Sequence, residues 1–101
     1  MYVSRLTFHT NPGQTRRVEQ ELHTLMAMVR DVGGIRPRIL RNHLASAGAP
    51  DVVFEQEVSD LEMLETQIRQ VTAREDFQRW ADQMSGLLAQ SPKRTVYLTV
   101  E

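Results

Sequence analysis

The three histidines of this 101-residue chain, His9, His23 and His43, are suited to proton transfer or metal binding near neutral pH. No two of them stand two or four residues apart, and the chain has no cysteine. The usual ligand spacings of a zinc site are therefore missing. Phosphate-binding glycine loops, the dinucleotide-binding glycine pattern and the Ser-His-Asp set of hydrolases are missing as well. We predict no metal site and no bound cofactor.

His9 also has a setting that would suit a catalytic base. His9 and Arg5 lie on one side of an alternating, strand-like segment, and Glu55 and Glu57 lie on one side of another. Where two such strands pair, an arginine or a histidine can face a glutamate. A carboxylate beside His9 would tune its pKa for base catalysis, whereas a structural ion pair is the competing interpretation.

Two aromatic residues are candidates for contact with a ligand. Trp80 shares a helical stripe with Phe77 and Met84, an arrangement that either lines an apolar pocket or fills the core. Tyr97 belongs to the last strand-like segment, where its hydroxyl could donate a hydrogen bond to a ligand or to a partner chain. The candidate ligand-binding residues are therefore Arg5, His9, Glu55, Glu57, Trp80 and Tyr97.

These side chains are positioned by strand-like and helix-like segments that follow one another without a low-complexity linker. The sequence Ser59-Asp60-Leu61-Glu62 forms a capping box with Ser59 as the N-cap, so a helix is expected to start at Asp60. A second such sequence begins at Thr72 and predicts a break there. The predicted strands cover residues 2–9, 35–44, 51–58 and 95–101, and the predicted helices cover residues 14–31 and 60–90.

The order of these segments, β-α-β-β-α-β, predicts an α+β protein with the ferredoxin-like plan. Two right-handed β-α-β units interleave as an antiparallel sheet of order 4-1-3-2, with the helices on one face. Pro37 lacks an amide proton, and this plan puts its strand at a sheet edge, where a proline is tolerated. We predict a single domain that spans residues 1–101.

The two faces of the predicted sheet carry different side chains. The face under the helices is expected to hold Leu6, Phe8, Val52, Phe54, Val96, Leu98 and Val100. The open face is expected to hold Arg5, Thr7, His9, Val53, Glu55, Glu57, Tyr97 and Thr99. This mixed face is either solvated or packed against the same face of a second chain, where desolvated charges must be paired.

Charge and hydropathy exclude several classes of partner. Twelve basic residues against thirteen acidic ones leave a formal charge of -1, which gives no field to attract nucleic acid or anionic lipid. A basic patch at Arg36, Arg38 and Arg41 is offset by the third strand, which presents glutamates and no base-stacking aromatic on the open face. No segment is apolar enough to span a bilayer, and the first residues do not form a secretory signal. We expect a cytoplasmic protein without a nucleic-acid or membrane partner.

Four features of the chain carry a family resemblance: the opening strand followed by Pro12-Gly13, the Gly33-Gly34 turn, and the segments VVFEQEVSDLEMLE and AREDFQRWADQMSGLL. Together they look like the NIPSNAP-like branch of the dimeric α/β-barrel superfamily, which also contains the antibiotic-biosynthesis monooxygenases. The resemblance covers nearly the whole chain, but its motifs are short, so it is specific for the fold and weak for the activity. It implies a homodimer in which two ferredoxin-like sheets face one another as a barrel through their open faces. Where such proteins have a small-molecule site, it commonly lies in the cleft between the sheet and the helices of each chain.

The catalytic residues of that superfamily do not carry over. Its monooxygenases and haem-degrading members resemble one another in using Asn and Trp, with a His as haem ligand in the latter. Here the first strand has no Asn before Asn11, and Ala81, next to Trp80, occupies the position expected for that histidine. The resemblance thus implies a dimer that binds a small apolar or aromatic metabolite, with cofactor-independent monooxygenase-like chemistry as one outcome. A non-catalytic dimeric binding or scaffold module is the alternative, so whether the chain is an enzyme stays open.

Overall fold

The computed structural model describes residues 1–101 and contains four strands and three helices. In chain order these are β1 (Tyr2–Phe8), α1 (Thr15–Asp31), β2 (Arg38–Arg41), β3 (Val52–Val58), α2 (Leu61–Thr72), α3 (Glu75–Ser85) and β4 (Lys93–Leu98). The second helical region is divided into α2 and α3, which confirms the break predicted near Thr72.

The four strands form one antiparallel sheet in the order β2-β3-β1-β4. This is the predicted order 4-1-3-2 read from the other edge, and it confirms the ferredoxin-like α+β fold. β2 lies at an edge, and the buried Pro37 directly precedes it, outside the hydrogen-bonded ladder.

Helix α1 forms because an apolar stripe repeats at helical spacing and packs against the sheet. Val18, Leu22, Leu25 and Val29 are all buried along this stripe. The helix ends where Gly33 adopts a φ of 71°, a left-handed conformation that glycine accepts without steric cost. This turn redirects the chain toward β2.

The start of α2 differs in one detail from the predicted capping box. Asp60, not Ser59, is the N-cap residue, and its Oδ1 accepts a hydrogen bond from the backbone N–H of Glu62 at 2.9 Å. A carboxylate caps a helix N-terminus as well as a serine hydroxyl does and also complements the helix dipole. The prediction of Ser59 as the cap was therefore wrong by one residue.

The break between α2 and α3 also uses its threonine differently from the prediction. Thr72 Oγ1 donates back to the carbonyl oxygen of Ile68 at 2.8 Å, so it ends α2 and does not cap α3. The N-cap of α3 is Arg74, which makes no capping bond with its side chain. The second predicted capping box is thus absent, although the break itself is present.

Two strands have other bounds than the alternation predicted. β2 covers Arg38–Arg41 instead of residues 35–44, because it pairs with β3 only over this four-residue stretch. β4 begins at Lys93 and ends at Leu98 instead of covering residues 95–101, because its ladder with β1 runs from Thr7 to Tyr2. The length of each strand is set by its partner, which a single segment does not reveal.

The core lies between the helices and one face of the sheet, and the helices pack chiefly over β3. Of the residues expected on the covered face, Phe8, Val52 and Phe54 are buried, and Leu6 packs against the core. The β4 part of the prediction was wrong. The residues Val96, Leu98 and Val100 are 40%, 62% and 89% exposed. Register places the first two on the helix side of the sheet, but no helix covers that end, and Val100 lies beyond the strand.

None of the three helices combines the length and the apolar composition needed to cross a lipid bilayer.

Candidate functional site

A cavity of about 290 Å³ lies between the helix side of the sheet and the helices. Most of its wall is apolar, as in a typical small-molecule site. The apolar lining consists of Leu6, Phe8, Leu25, Val29, Phe54, Ile68, Val71, Phe77, Trp80, Ala81, Met84 and Leu88. The remaining wall is formed by Gln56, Gln67, Thr72, Ser85, Pro92 and Arg94.

Trp80 is fixed in this wall by contacts on two sides. Its indole N–H donates to the backbone carbonyl oxygen of Glu21 in α1 at 2.7 Å. Its ring lies 5.6 Å from the ring of Phe77 between centroids, at a tilt of 32°. The buried indole therefore ties α3 to α1 and leaves a rigid aromatic surface in the cavity wall.

Two buried glutamines, Gln56 of β3 and Gln67 of α2, form a polar part of the cavity wall between the sheet and the helix. Gln67 Nε2 donates to Gln56 Oε1 at 3.1 Å, and Gln56 Nε2 donates to Gln67 Oε1 at 3.0 Å. Both side chains also bond the backbone of Ile35, which leads into β2. Because these bonds satisfy the amides mutually, the pair can be buried without an unpartnered polar atom.

Arg94 is the charged residue of the cavity wall. It sits opposite Leu6 in the β1–β4 ladder, and both residues line the cavity. Its Nη1 donates to the hydroxyl of buried Ser4 at 2.6 Å, and it forms no ion pair within the chain. Arg94 as a residue is exposed at the rim of the cavity, and partial desolvation of its guanidinium lowers its pKa, since desolvation disfavours the charged form.

The open face of the sheet carries a separate, fully paired charge cluster. Glu55 stands opposite Arg5 in β1 and opposite Arg38 in β2. Arg5 Nε lies 2.7 Å from Glu55 Oε1, and Arg38 Nε lies 2.6 Å from Glu55 Oε2. The predicted pairing of Arg5 with Glu55 is therefore confirmed. Glu55 is only 2% exposed although no helix covers it.

Burial and the two arginines act on Glu55 in opposite directions. Burial by itself would raise the pKa of Glu55, but the hydrogen bonds from Arg5 and Arg38 outweigh it and lower the pKa below its usual value. Glu57 lies on the same face and 3.7 Å from Arg38, at the exposed margin of the cluster. The half-exposed Tyr97 lies under Arg5, whose guanidinium carbon is 5.3 Å from the ring centroid.

His9 does not join either arrangement. β1 ends at Phe8, so His9 has no partner in the ladder and does not face Glu55 or Glu57 as the alternation suggested. It does not line the cavity, and its carbonyl oxygen accepts a hydrogen bond from the N–H of Ala89 at 2.8 Å. The expected histidine–glutamate pairing was wrong because the register places Glu55 opposite Arg5 and Glu57 opposite Val3, several residues away from His9.

The basic patch predicted on the second strand is largely neutralised. Arg38 bonds Glu55, and Arg41 Nη2 bonds Glu19 of α1 at 2.6 Å. Of the three arginines in this patch, Arg36 alone forms no ion pair. The arginines of β2 therefore hold the edge strand against β3 and α1.

Comparison by sequence gives no match, either to a family model or to a curated protein. Comparison by structure gives several. An uncharacterised NIPSNAP-like domain protein from Burkholderia xenovorans superposes with a TM-score of 0.78 at 18% identity, covering 98% of this chain and 84% of that one. A candidate antibiotic biosynthesis monooxygenase from Nitrosomonas europaea superposes with a TM-score of 0.69 at 17% identity, covering 100% of both chains. An antibiotic biosynthesis monooxygenase matches at a TM-score of 0.66 and 16% identity, again over 100% of both chains.

This chain therefore shares the ferredoxin-like fold of these NIPSNAP-like and monooxygenase structures. The resemblance carried by its short motifs is thereby confirmed for the architecture. At identities below one fifth, the likeness extends to the fold and not to the chemistry.

Within this fold, the six candidate residues separate onto two sides of the sheet. Trp80 lines the cavity on the helix side. The other five candidates lie elsewhere, four of them on the open face and His9 beyond the end of β1.

Sequence reasoning missed the polar residues of the cavity wall, although the spacing of three of them carries a signal. Arg94 lies two residues before Val96 and so on the same face of a strand. A prediction that started the last strand earlier would have placed Arg94 on the helix side. Gln56 lies two residues after Phe54 in β3 and therefore on the same side of the sheet. Gln67 follows Leu64 by three residues and thus occupies a position of the buried helical stripe.

Proposed function

We propose that this chain binds a small, largely apolar or aromatic metabolite in the cavity between its sheet and its helices. The observation that supports the proposal is the cavity itself, with its apolar lining and a few polar groups at one wall. Protein interiors normally contain few voids larger than a water molecule. A volume of about 290 Å³ is near the lower end of the range for small-molecule sites.

A cavity-filling substitution tests this proposal. Ala81 lines the cavity, so Ala81→Leu adds three carbon atoms to the wall and should weaken binding of a neutral apolar probe, phenylbutyramide, by about tenfold or more. Ala73→Leu is the matched control, because Ala73 is exposed at the end of α2. Binding is followed by the fluorescence of Trp80, the only tryptophan of the chain. Equal affinity of both variants would contradict the proposal, as would no binding to the wild type.

Cofactor-independent monooxygenase-like chemistry is the catalytic alternative. It is supported by the structural likeness to antibiotic biosynthesis monooxygenases and by an apolar cleft that could hold an aromatic substrate. Against it, the lining contains no His, Asp, Glu, Lys, Tyr or Cys that could accept a proton from a substrate. Oxygen uptake with a naphthohydroquinone separates the two functions: a rate above that of the uncatalysed reaction favours the enzyme, and an unchanged rate favours the binding protein.

We also propose that two chains associate through their open sheet faces. The face combines the apolar side chains of Leu40, Val53 and Val3 with the aromatic ring of Tyr97. Its central carboxylate, Glu55, already has both oxygens bonded by arginines. A charge that is paired before association adds less desolvation cost than an unpaired one. The face is thus suited to burial against a second copy of itself.

A further inference from the structure

We propose that the cavity selects a ligand with an apolar body and a carboxylate, and that Arg94 binds the carboxylate. This inference rests on the proposed function, because it names the ligand class of the same cavity.

The guanidinium of Arg94 has hydrogen-bond donors without partners. An arginine side chain carries five N–H groups in a planar fork. In this chain Arg94 uses Nη1 on the Ser4 hydroxyl and makes no other side-chain bond. Arg5, Arg38 and Arg74, by contrast, each bond a carboxylate. A carboxylate accepts two parallel hydrogen bonds from such a fork, so it matches the donors that Arg94 leaves open.

The position of Arg94 defines how such a ligand would lie. Ser4 stands opposite Gln56 in the β1–β3 ladder, so the polar groups form a row from Arg94 through Ser4 to the glutamine pair. The glutamines satisfy one another, which leaves Arg94 as the charged anchor of this row. The remaining wall, including Trp80, is apolar and suits the body of the ligand.

The electrostatics favour an anion over a neutral or cationic group. Arg94 is exposed as a residue, but its guanidinium lines the cavity without a counter-ion from this chain, and partial desolvation lowers its pKa. A carboxylate beside the guanidinium would replace the lost solvation with charge-assisted hydrogen bonds. An amine would add a like charge to the same cavity.

The test compares phenylbutyrate with phenylbutyramide, which share a carbon skeleton and differ in charge. The wild type is expected to bind the carboxylate at least about tenfold more tightly than the amide. Arg94→Gln is expected to abolish this preference while its affinity for the amide stays near that of the wild type. Arg94→Lys keeps the positive charge and should retain part of the preference. Lys93→Gln is the matched control, since Lys93 carries a positive charge one residue earlier and faces the opposite side of the sheet.

Calorimetric titration of these four proteins separates the two proposals. Loss of the preference in Arg94→Gln, with its retention in Lys93→Gln, supports the carboxylate site. Equal binding of both ligands by the wild type overturns this site but leaves the apolar cavity as a binding site. No binding of either ligand overturns both proposals. Melting curves establish that each variant is folded. If Arg94→Gln does not fold, a reduced preference for the carboxylate in Arg94→Lys is the deciding result.

Discussion

At the residue scale, Glu55 shows how a carboxylate is buried on a sheet face that no helix covers. The sequence predicted that Arg5 or His9 could face Glu55 or Glu57, because these residues lie on the open sides of strands that pair in the ferredoxin-like plan, and the observed register pairs Glu55 with Arg5. It did not predict the second partner, Arg38, because the register of the short edge strand β2 follows from its pairing with β3. With both partners in place, the two carboxylate oxygens are bonded and the side chain is shielded from water.

We expect Glu55→Gln to lower the free energy of unfolding by about 1–3 kcal/mol at neutral pH, because it removes the charge that pairs with two arginines. The matched control is Glu57→Gln, which alters an exposed and more distant contact with Arg38 and should change the free energy of unfolding by less than about 0.5 kcal/mol. Chemical denaturation of both variants measures the difference. Equal effects would mean that burial of Glu55 adds nothing to the ion pairs.

The same variant has a defined pH dependence. The pKa of Glu55 is lowered in the folded chain, so its extra contribution to stability is complete above the unfolded pKa of about 4.3 and is lost as pH falls through the lower folded pKa. The gap in stability between the wild type and Glu55→Gln should therefore narrow in acid. A gap that stays constant down to the acid-unfolding region would contradict the lowered pKa.

At the element scale, the turn from α1 to β2 is held by the glutamine pair of the cavity wall. A Cβ atom added at Gly34 would stand 2.5 Å from Gln67 Oε1 and 2.8 Å from Val29 Cγ1. Gln67 has little freedom to move away, because the same oxygen accepts bonds from Ile35 N and Gln56 Nε2.

Gly34→Ala is therefore expected to lower the free energy of unfolding by about 1–3 kcal/mol, through loss of these buried bonds. Gly86→Ala is the control, since a Cβ atom there would meet only Gln83 O at an ordinary 3.6 Å. Thermal or denaturant unfolding compares the two variants. A Gly34→Ala variant as stable as Gly86→Ala would show that Gln67 is not held in place.

Element types were predictable from the sequence, whereas their ends were less so. The helical stripe of α1 and the alternation of β1 and β3 are local patterns, and the structure confirms them. The last strand was displaced because Thr95 to Glu101 alternates well by itself, while its real limits are set by pairing with β1. That displacement concealed Arg94 and made Val96, Leu98 and Val100 appear to be core residues.

At the scale of the whole molecule, the proposed dimer predicts a mass in solution of twice the 11.6 kDa chain. Leu40 lies on the open face, so Leu40→Glu should place an unpaired charge in the interface and raise the dimer dissociation constant by about tenfold or more. Leu44→Glu is the control, because Leu44 is exposed in the loop between β2 and β3. Native mass spectrometry over a dilution series reports the dissociation constant. A wild type that is monomeric at every concentration would overturn the dimer.

The architecture could be predicted because segment order and handedness leave few ways to connect four strands and two helical regions. The cavity could not be predicted from the sequence, because its volume is the space that remains after side chains from the sheet and the helices have packed. Trp80 illustrates the difference. Its stripe placed it on the inner face of a helix, but only the bond to Glu21 and the neighbouring Phe77 show that it forms a wall and does not fill the space.

The alternation of β1 and β4 makes the sheet a partition between two compartments. Arg5 and Leu6 are consecutive, and so are Lys93 and Arg94, yet the members of each pair serve opposite sides. The proposed ligand cavity on one side and the proposed self-association surface on the other are therefore separated by the sheet, and they share the peptide backbone of β1, β3 and β4. Any communication between an occupied cavity and the opposite face must pass through a change in the twist or the register of these strands.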